Sequence, residues 1–206
     1  MMTHSDDKTP PSSIAIIGAG GLGREIRSLV ERENVFAGYH DDQEIDKDYL
    51  GNIAQINPTQ SIEYIIAIGN PSLKKAIAEQ LYQKSLTYAN IVSKNTVVSE
   101  MYFKGQGIII CDGVIATVDY NIGSHVLLNL NVTIGHDVTV RDYCSIMPGA
   151  NISGNVTIGE ATLIGAGAVI LQGVTIGANV RVGAGAVVTK DIPDNITVVG
   201  IPAKPL

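Results

Sequence analysis

The sequence predicts a small α/β domain followed by a parallel β-helix. Three observations carry this reading: a six-residue period through the C-terminal two-thirds, a strand–glycine turn–helix pattern opening at Ser13, and a composition rich in small residues. Gly accounts for 22 of 206 residues, Trp is absent and aromatics make up 5%, which argues against a core of interlocking rings. Hydrophobic residues reach 45% and charged ones only 17%, the balance of a folded chain. A formal charge of −6 argues against nucleic acid or an anionic membrane as the main partner. It leaves room for a phosphate-bearing small molecule held by a local nest of N–H groups.

Residues 1–12 are polar, hold two prolines and lack the apolar stretch of a secretory signal, so a disordered tail is expected. Residues 13–92 read as a Rossmann-like βαβ domain. Ser13-Ile-Ala-Ile-Ile17 is a buried strand, Gly18-Ala-Gly20-Gly-Leu-Gly23 follows at once, and a helix runs from about Leu22 to Glu33. In that context G-x-G-x-x-G is a phosphate-binding turn, with the helix N-terminus facing the anion. A second strand ends near Tyr39 and enters His40-Asp41-Asp42, which places acids where a ribose or base contact is expected. A third strand, Tyr64 to Ile68, leads into Gly69-Asn70-Pro71 and a helix through about Lys84; a short strand from Thr87 to Val92 joins the repeat. A full dinucleotide fold needs two such halves, and roughly 80 residues hold only one. One nucleotide is therefore expected in place of NAD, a ligand-free βαβ cap being the plainer alternative.

Residues 93–190 carry the period. Stepping by six from Ile122 through Leu128, Ile134, Val140 and on to Val188 meets only aliphatic residues, and the parallel series Val126, Val132, Val138, Cys144, Ala150 to Ala186 meets only small ones. Gly follows the aliphatic residue at Gly123, Gly135, Gly159, Gly165, Gly177 and Gly183. An α-helix cannot produce this, because positions six apart fall about 120° out of phase. Short strands joined by corners can, with the aliphatic residue inside, the small residue at a tight corner and Gly supplying unusual backbone angles. The register extends from Ile110 to Thr189, between four and five coils. Ala161 to Val180 has no charge over a length that could span a membrane, yet it keeps the six-residue spacing and contains four glycines, Gln172 and Asn179. It belongs to the repeat. Residues 191–206, from Asp191-Ile-Pro-Asp-Asn to the C-terminus, form a closing segment, and the N-terminal domain is expected to cover the other open end. Two cysteines, Cys111 and Cys144, suit neither a disulfide framework nor a zinc motif, and a reducing cytoplasm is the simple location.

The units I-G-H-D-V-T, I-S-G-N-V-T, I-G-A-G-A-V and V-G-A-G-A-V resemble the hexapeptide-repeat acyltransferases. Gly18-Ala-Gly-Gly-Leu-Gly23, Asp41-Asp42, Ala67-Ile-Gly69-Asn70, Asn129, Gly135-His136-Asp137 and Gly200-Ile-Pro-Ala-Lys204 narrow the resemblance. They point to the sialic-acid O-acetyltransferase and nucleotide 4-amino-sugar N-acetyltransferase family. That resemblance implies a left-handed helix, against the general rule for parallel crossovers, and a homotrimer with active sites between subunits. It implies acetyl-CoA as acyl donor and the amine of a nucleotide-linked 4-amino sugar as acceptor, in bacterial surface-glycan biosynthesis. A sugar O-acetyltransferase and a non-catalytic trimeric nucleotide-binding protein are the alternatives.

The same resemblance assigns the nucleotide sugar to Gly20, Gly21, Leu22, Asp41, Asp42 and Gly69. It makes His136 the general base, Asp137 the acid that raises its basicity and Asn129 a substrate-orienting group. A carboxylate beside imidazole is a sound arrangement for taking a proton from an attacking amine. Coenzyme A is expected along a groove touching Ser145, Ala166 and Ala184; Lys204 is either the cation for its 3′-phosphate or an ordinary exposed lysine. Cys144 occupies a small inward slot and is not expected to be a nucleophile, so attack is direct, without an acyl-enzyme. His125, the other histidine of the repeat, is expected on the solvated surface. A zinc hydrolyase of the γ-carbonic anhydrase kind needs three histidines, and the repeat has two, so no metal is expected.

Overall fold

The computed structural model describes residues 12–44, 47–59 and 61–206; apart from Ser12, the tail expected at 1–12 lies outside them. The α/β domain is a four-stranded parallel sheet in the order β3-β2-β1-β4. Its strands are β1 (Ser13–Ile17), β2 (Val35–His40), β3 (Tyr49–Gly51) and β4 (Ile62–Ile66). β1 is apolar on both faces because both are covered. Ile14 and Ile16 pack with Ile26 and Val30 of α1 (Gly21–Val30). Ala15 and Ile17 pack with Ile77, Ala78 and Leu81 of α2 (Pro71–Leu81) on the opposite side. Asn70 caps α2, its side chain accepting from the Leu73 N–H at 3.2 Å, with Pro71 set in the first turn. The edge strand β3 has no counterpart in the sequence reading.

The remainder is a left-handed parallel β-helix. Two-residue strands stack eighteen residues apart, Thr133 on Asn151, Thr139 on Thr157 and Ser145 on Leu163, which makes three sheets, one for each wall of a triangular coil. The aliphatic and small columns both point inward, and Ile134, Val138, Val140, Cys144 and Ile146 lie at or near zero exposure. Each rung adds a layer of apolar burial and one set of backbone hydrogen bonds, so the walls support each other without a large ring anywhere.

Three expectations need correction. The glycines that follow the aliphatic residues do not supply the unusual backbone angle. Left-handed φ recurs two residues later, at Gly113, Asp119, His125, Asn131, Asp137 and onward every sixth position. Gly135 and Gly165 serve a different need: a Cβ on Gly135 would stand 2.6 Å from the Gly154 nitrogen, and one on Gly165 2.5 Å from the Ala184 nitrogen. They let successive coils approach. The helix also begins a rung earlier than Ile110, since Ile91–Val92 pairs with Ile109–Ile110 as the first strand of the largest wall. Finally, the α/β domain does not cover the open end. It lies on the flank, where α1 packs against Ile109, Cys111 and Leu127. The end is closed by the chain itself: Val98, Tyr102 and Phe103 pack on the core, and the buried Tyr120 hydroxyl donates to the Ser99 carbonyl at 2.9 Å.

Candidate active site

The glycine turn and the paired acids meet at the C-terminal ends of β1 and β2. The Ala19 N–H donates to Asp41 Oδ2 at 2.7 Å, so Asp41 holds the turn in shape. Its other oxygen accepts from the Gln43 N–H at 2.9 Å. Gly20 is the N-cap of α1, without a side-chain cap, and the first-turn N–H groups of the helix are free to face an anion. A Cβ at Gly20 or Gly21 would meet nothing within 4 Å, so the space above the turn is open. Gly69 stands across it, its missing Cβ 3.8 Å from Leu22 Cδ2. Asp42 is exposed at the rim. Gly20, Gly21, Leu22, Asp41 and Gly69 thus stand around one open cradle, and Asp42 follows Asp41 on the exposed surface.

His136 and Asp137 form the corner after the strand Thr133–Ile134. The His136 Nδ1 lies 2.7 Å from Asp137 Oδ2, a contact between neighbours in sequence that the left-handed Asp137 backbone (φ 59°) makes possible. A carboxylate only accepts, so Nδ1 carries the hydrogen and Nε2 is the nitrogen left for other partners. The pair is half-exposed, at 54% and 58% for the two side chains. The ring lies over Gly154 of the next coil, where a Cβ would stand 2.6 Å from Cε1. Sequence reasoning missed Gly154; its place eighteen residues beyond His136 was the available signal.

The three walls separate the remaining candidates. One wall, with Ile109, Leu127 and Ser145 on its outer row, is covered by the α/β domain. A second carries Asn121, Thr139, Thr157 and Thr175. The third carries Ile115, Thr133, Asn151, Val169 and Val187, with Val97 and Val118 beside it. His136 stands on the edge between the second and third walls. Asn129, Ala166 and Ala184 stand on the opposite edge of the third wall, where the two alanines are exposed and Asn129 is buried, its Oδ1 accepting from the Leu130 N–H at 2.7 Å. A single chain does not bring these two edges together. Lys204 is exposed in the final strand, which pairs antiparallel with Val198–Val199.

Two assignments change. Ser145 is fully buried beneath α2 and its Oγ accepts from Lys74 Nζ at 2.9 Å, so it presents nothing to a coenzyme in a surface groove. His125 is also buried, stacked on Tyr143 at 5.5 Å and edge-on to Tyr88 at 4.6 Å. Burial pulls its pKa down to about 4. Cys144 lies fully buried in the inward slot: its thiol donates to the Gly159 carbonyl at 3.0 Å and burial pushes its pKa up to about 12.

Comparison with known proteins bears on this geometry. Residues 13–81 match the PglD N-terminal domain, and residues 155–190 match the bacterial transferase hexapeptide repeat. The acetyltransferase domain of PglB from Neisseria gonorrhoeae is 30% identical, with a TM-score of 0.88 over 94% of this chain and 99% of that one. The chain belongs to the hexapeptide-repeat nucleotide amino-sugar acetyltransferase family. PerB from Caulobacter crescentus, solved with CoA and GDP-perosamine, is similar to this acetyltransferase at 28% identity and a TM-score of 0.85, covering 95% and 97% of the two chains. WeeI from Acinetobacter baumannii follows at 29% identity and a TM-score of 0.82, covering 95% and 100%. A search of curated proteins finds no match. No helix among the described residues of the acetyltransferase is long and apolar enough to cross a membrane.

Proposed function

We propose that this acetyltransferase moves the acetyl group of acetyl-CoA to the amine of a nucleotide-linked 4-amino sugar, in the cytoplasm, for surface-glycan biosynthesis. The cradle of Gly20, Gly21, Leu22, Asp41, Asp42 and Gly69 holds the nucleotide part. Ala166 and Ala184 line the path of the pantetheine arm, Lys204 meets the 3′-phosphate, and Asn129 orients the substrate. The amine nitrogen attacks the thioester carbon. His136 Nε2 takes the proton that the nitrogen sheds, Asp137 steadies the imidazolium, and the proton passes to the departing thiolate as the C–S bond breaks. The observation that carries this is the His136–Asp137 contact, which turns Nδ1 to the carboxylate and leaves Nε2 for the substrate on a half-exposed corner.

Three copies of the chain are needed to assemble the site. Val97, Ile115 and Val118 are 64%, 48% and 52% exposed around the third wall, while the first wall is already covered as far as Ser145 and the second is polar. Packing the third walls about a threefold axis buries that apolar surface. It also sets the His136 edge of one copy against the Asn129–Ala166–Ala184 edge of the next. The test is thiol release from acetyl-CoA with a panel of nucleotide 4-amino sugars and their hydroxyl counterparts. We expect the amines to be turned over and His136→Ala to lose most of the rate while binding both substrates. Near-normal turnover by His136→Ala refutes the assignment of the base.

A further inference from the structure

We propose that Lys74 is the positioning residue that sets where the nucleotide cradle sits on the β-helix; the inference rests on the function proposed above. Lys74 is 1% exposed, and its ammonium crosses from α2 into the coil wall. Nζ donates to the Cys144 carbonyl at 3.0 Å and to Ser145 Oγ at 2.9 Å. The same residue's backbone N–H donates to the Asn70 carbonyl at 2.9 Å, while the Asn70 side chain caps the turn that begins at the cradle's Gly69. One turn of helix therefore has the cradle at one end and the β-helix at the other.

The arrangement is costly for a merely structural contact. Among the described residues no carboxylate pairs with Lys74, and an ammonium buried among neutral acceptors forfeits hydration that two hydrogen bonds only partly replace. The ionisable groups facing it are the Cys144 thiol and His125, neither anionic at neutral pH. Burial pulls the lysine's own pKa down to about 7. An aliphatic side chain would fill the space more cheaply.

Hydrogen bonds fix distance and direction, and the junction has two sets of them: β4 is held to the segment entering the first coil by the Tyr64 N–H on the Thr87 carbonyl at 2.9 Å and the Ala89 N–H on the Tyr64 carbonyl at 3.0 Å, and α2 is held by Lys74. The α1 contact with Ile109, Cys111 and Leu127 is apolar and non-directional. The rim pairs Lys75–Glu160 and Arg32–Asp112, each at 2.7 Å, join partly exposed side chains and restrain little. Lys74 is the buried directional side-chain link between α2 and the coil wall, at the rung that carries Ser145. A cradle shifted by roughly 1 Å would present the sugar amine out of line with the base of the adjoining copy, enough to slow reaction about a hundredfold in unfavourable cases.

The test compares the full-length protein with Lys74→Met, which keeps the volume and removes the donors, and with the milder Ser145→Ala. In Lys74→Met we expect nucleoside diphosphate and CoA to bind within about twofold of normal, with kcat for the nucleotide amino sugar down about tenfold. Slow acetylation of the free amino sugar, which the cradle does not hold, is expected to stay the same. Ser145→Ala should show the same split at about threefold. Normal kcat, or equal loss with both acceptors, overturns the proposal. Amide hydrogen exchange decides independently of any substrate. Lys74→Met should open the first turn of α2 and the strand at Ser145, and unchanged exchange there overturns the link even if turnover falls. A wild type that ignores every nucleotide amino sugar would refute the proposed function alone and leave the exchange result to decide Lys74.

Discussion

Gly154→Ala tests the site without removing a reacting group. The new methyl would press closest on Nε2 of the His136 ring and stand 2.6 Å from Cε1 and 2.9 Å from Cδ2, against about 3.5 Å for ordinary carbon contact. The ring is half-exposed and the coil is not, so the ring withdraws by roughly 1 Å. That displaces Nε2 and alters the 2.7 Å contact of Nδ1 with Asp137. Gly154 does not occupy the left-handed region, so alanine adds no backbone strain and stability should change by less than about 0.5 kcal/mol. A base displaced this far costs about a hundredfold in rate, roughly 2.7 kcal/mol of transition-state stabilisation. The assay is initial thiol release at saturating acetyl-CoA and amino sugar, beside a thermal melt and a CoA titration. Unchanged kcat, or a loss confined to CoA affinity, would show that the chemistry does not happen at this ring.

Two further outcomes concern packing and assembly. His125 has a folded-state pKa of about 4 against the usual 6.5, so the unfolded chain binds more protons between those values and stability falls as pH drops from 6.5 to 4. Urea titrations should show wild type losing about 3 kcal/mol more than His125→Phe over that interval; parallel curves would mean that the imidazole is not buried neutral. Ile115→Arg places a charge on the apolar wall, at a side chain 48% exposed in one chain. Sedimentation should find wild type trimeric and the variant monomeric, folded and inactive; an active monomer would rule out sites shared between copies.

The period of the coils was legible because each rung repeats one requirement: an aliphatic side chain where Ile134, Val140 and Ile146 point inward, and a small one where Val138 and Cys144 fill the corner. The glycine turn was legible for a similar reason, since β1, the turn and α1 are local and contiguous. What depends on tertiary placement was not. Ser145 and Ile109 occupy outward positions of the hexad and become buried only because a separate domain lies over them. His125 looked like any corner residue until Tyr88, distant in sequence, closed over it. The backbone role of Gly135 was misjudged because a missing side chain looks the same whether it serves torsion or proximity. Gly154 and Lys74 escaped notice because each acts on a residue one coil or one domain away.

The seating of the α/β domain on the flank has a consequence for how such proteins vary. Its footprint ends at Glu160, yet the coils continue to Val198 and finish under their own C-terminal strand. Turns inserted or deleted in eighteen-residue steps past Ile164 would therefore lengthen or shorten the prism without disturbing what rests on its side.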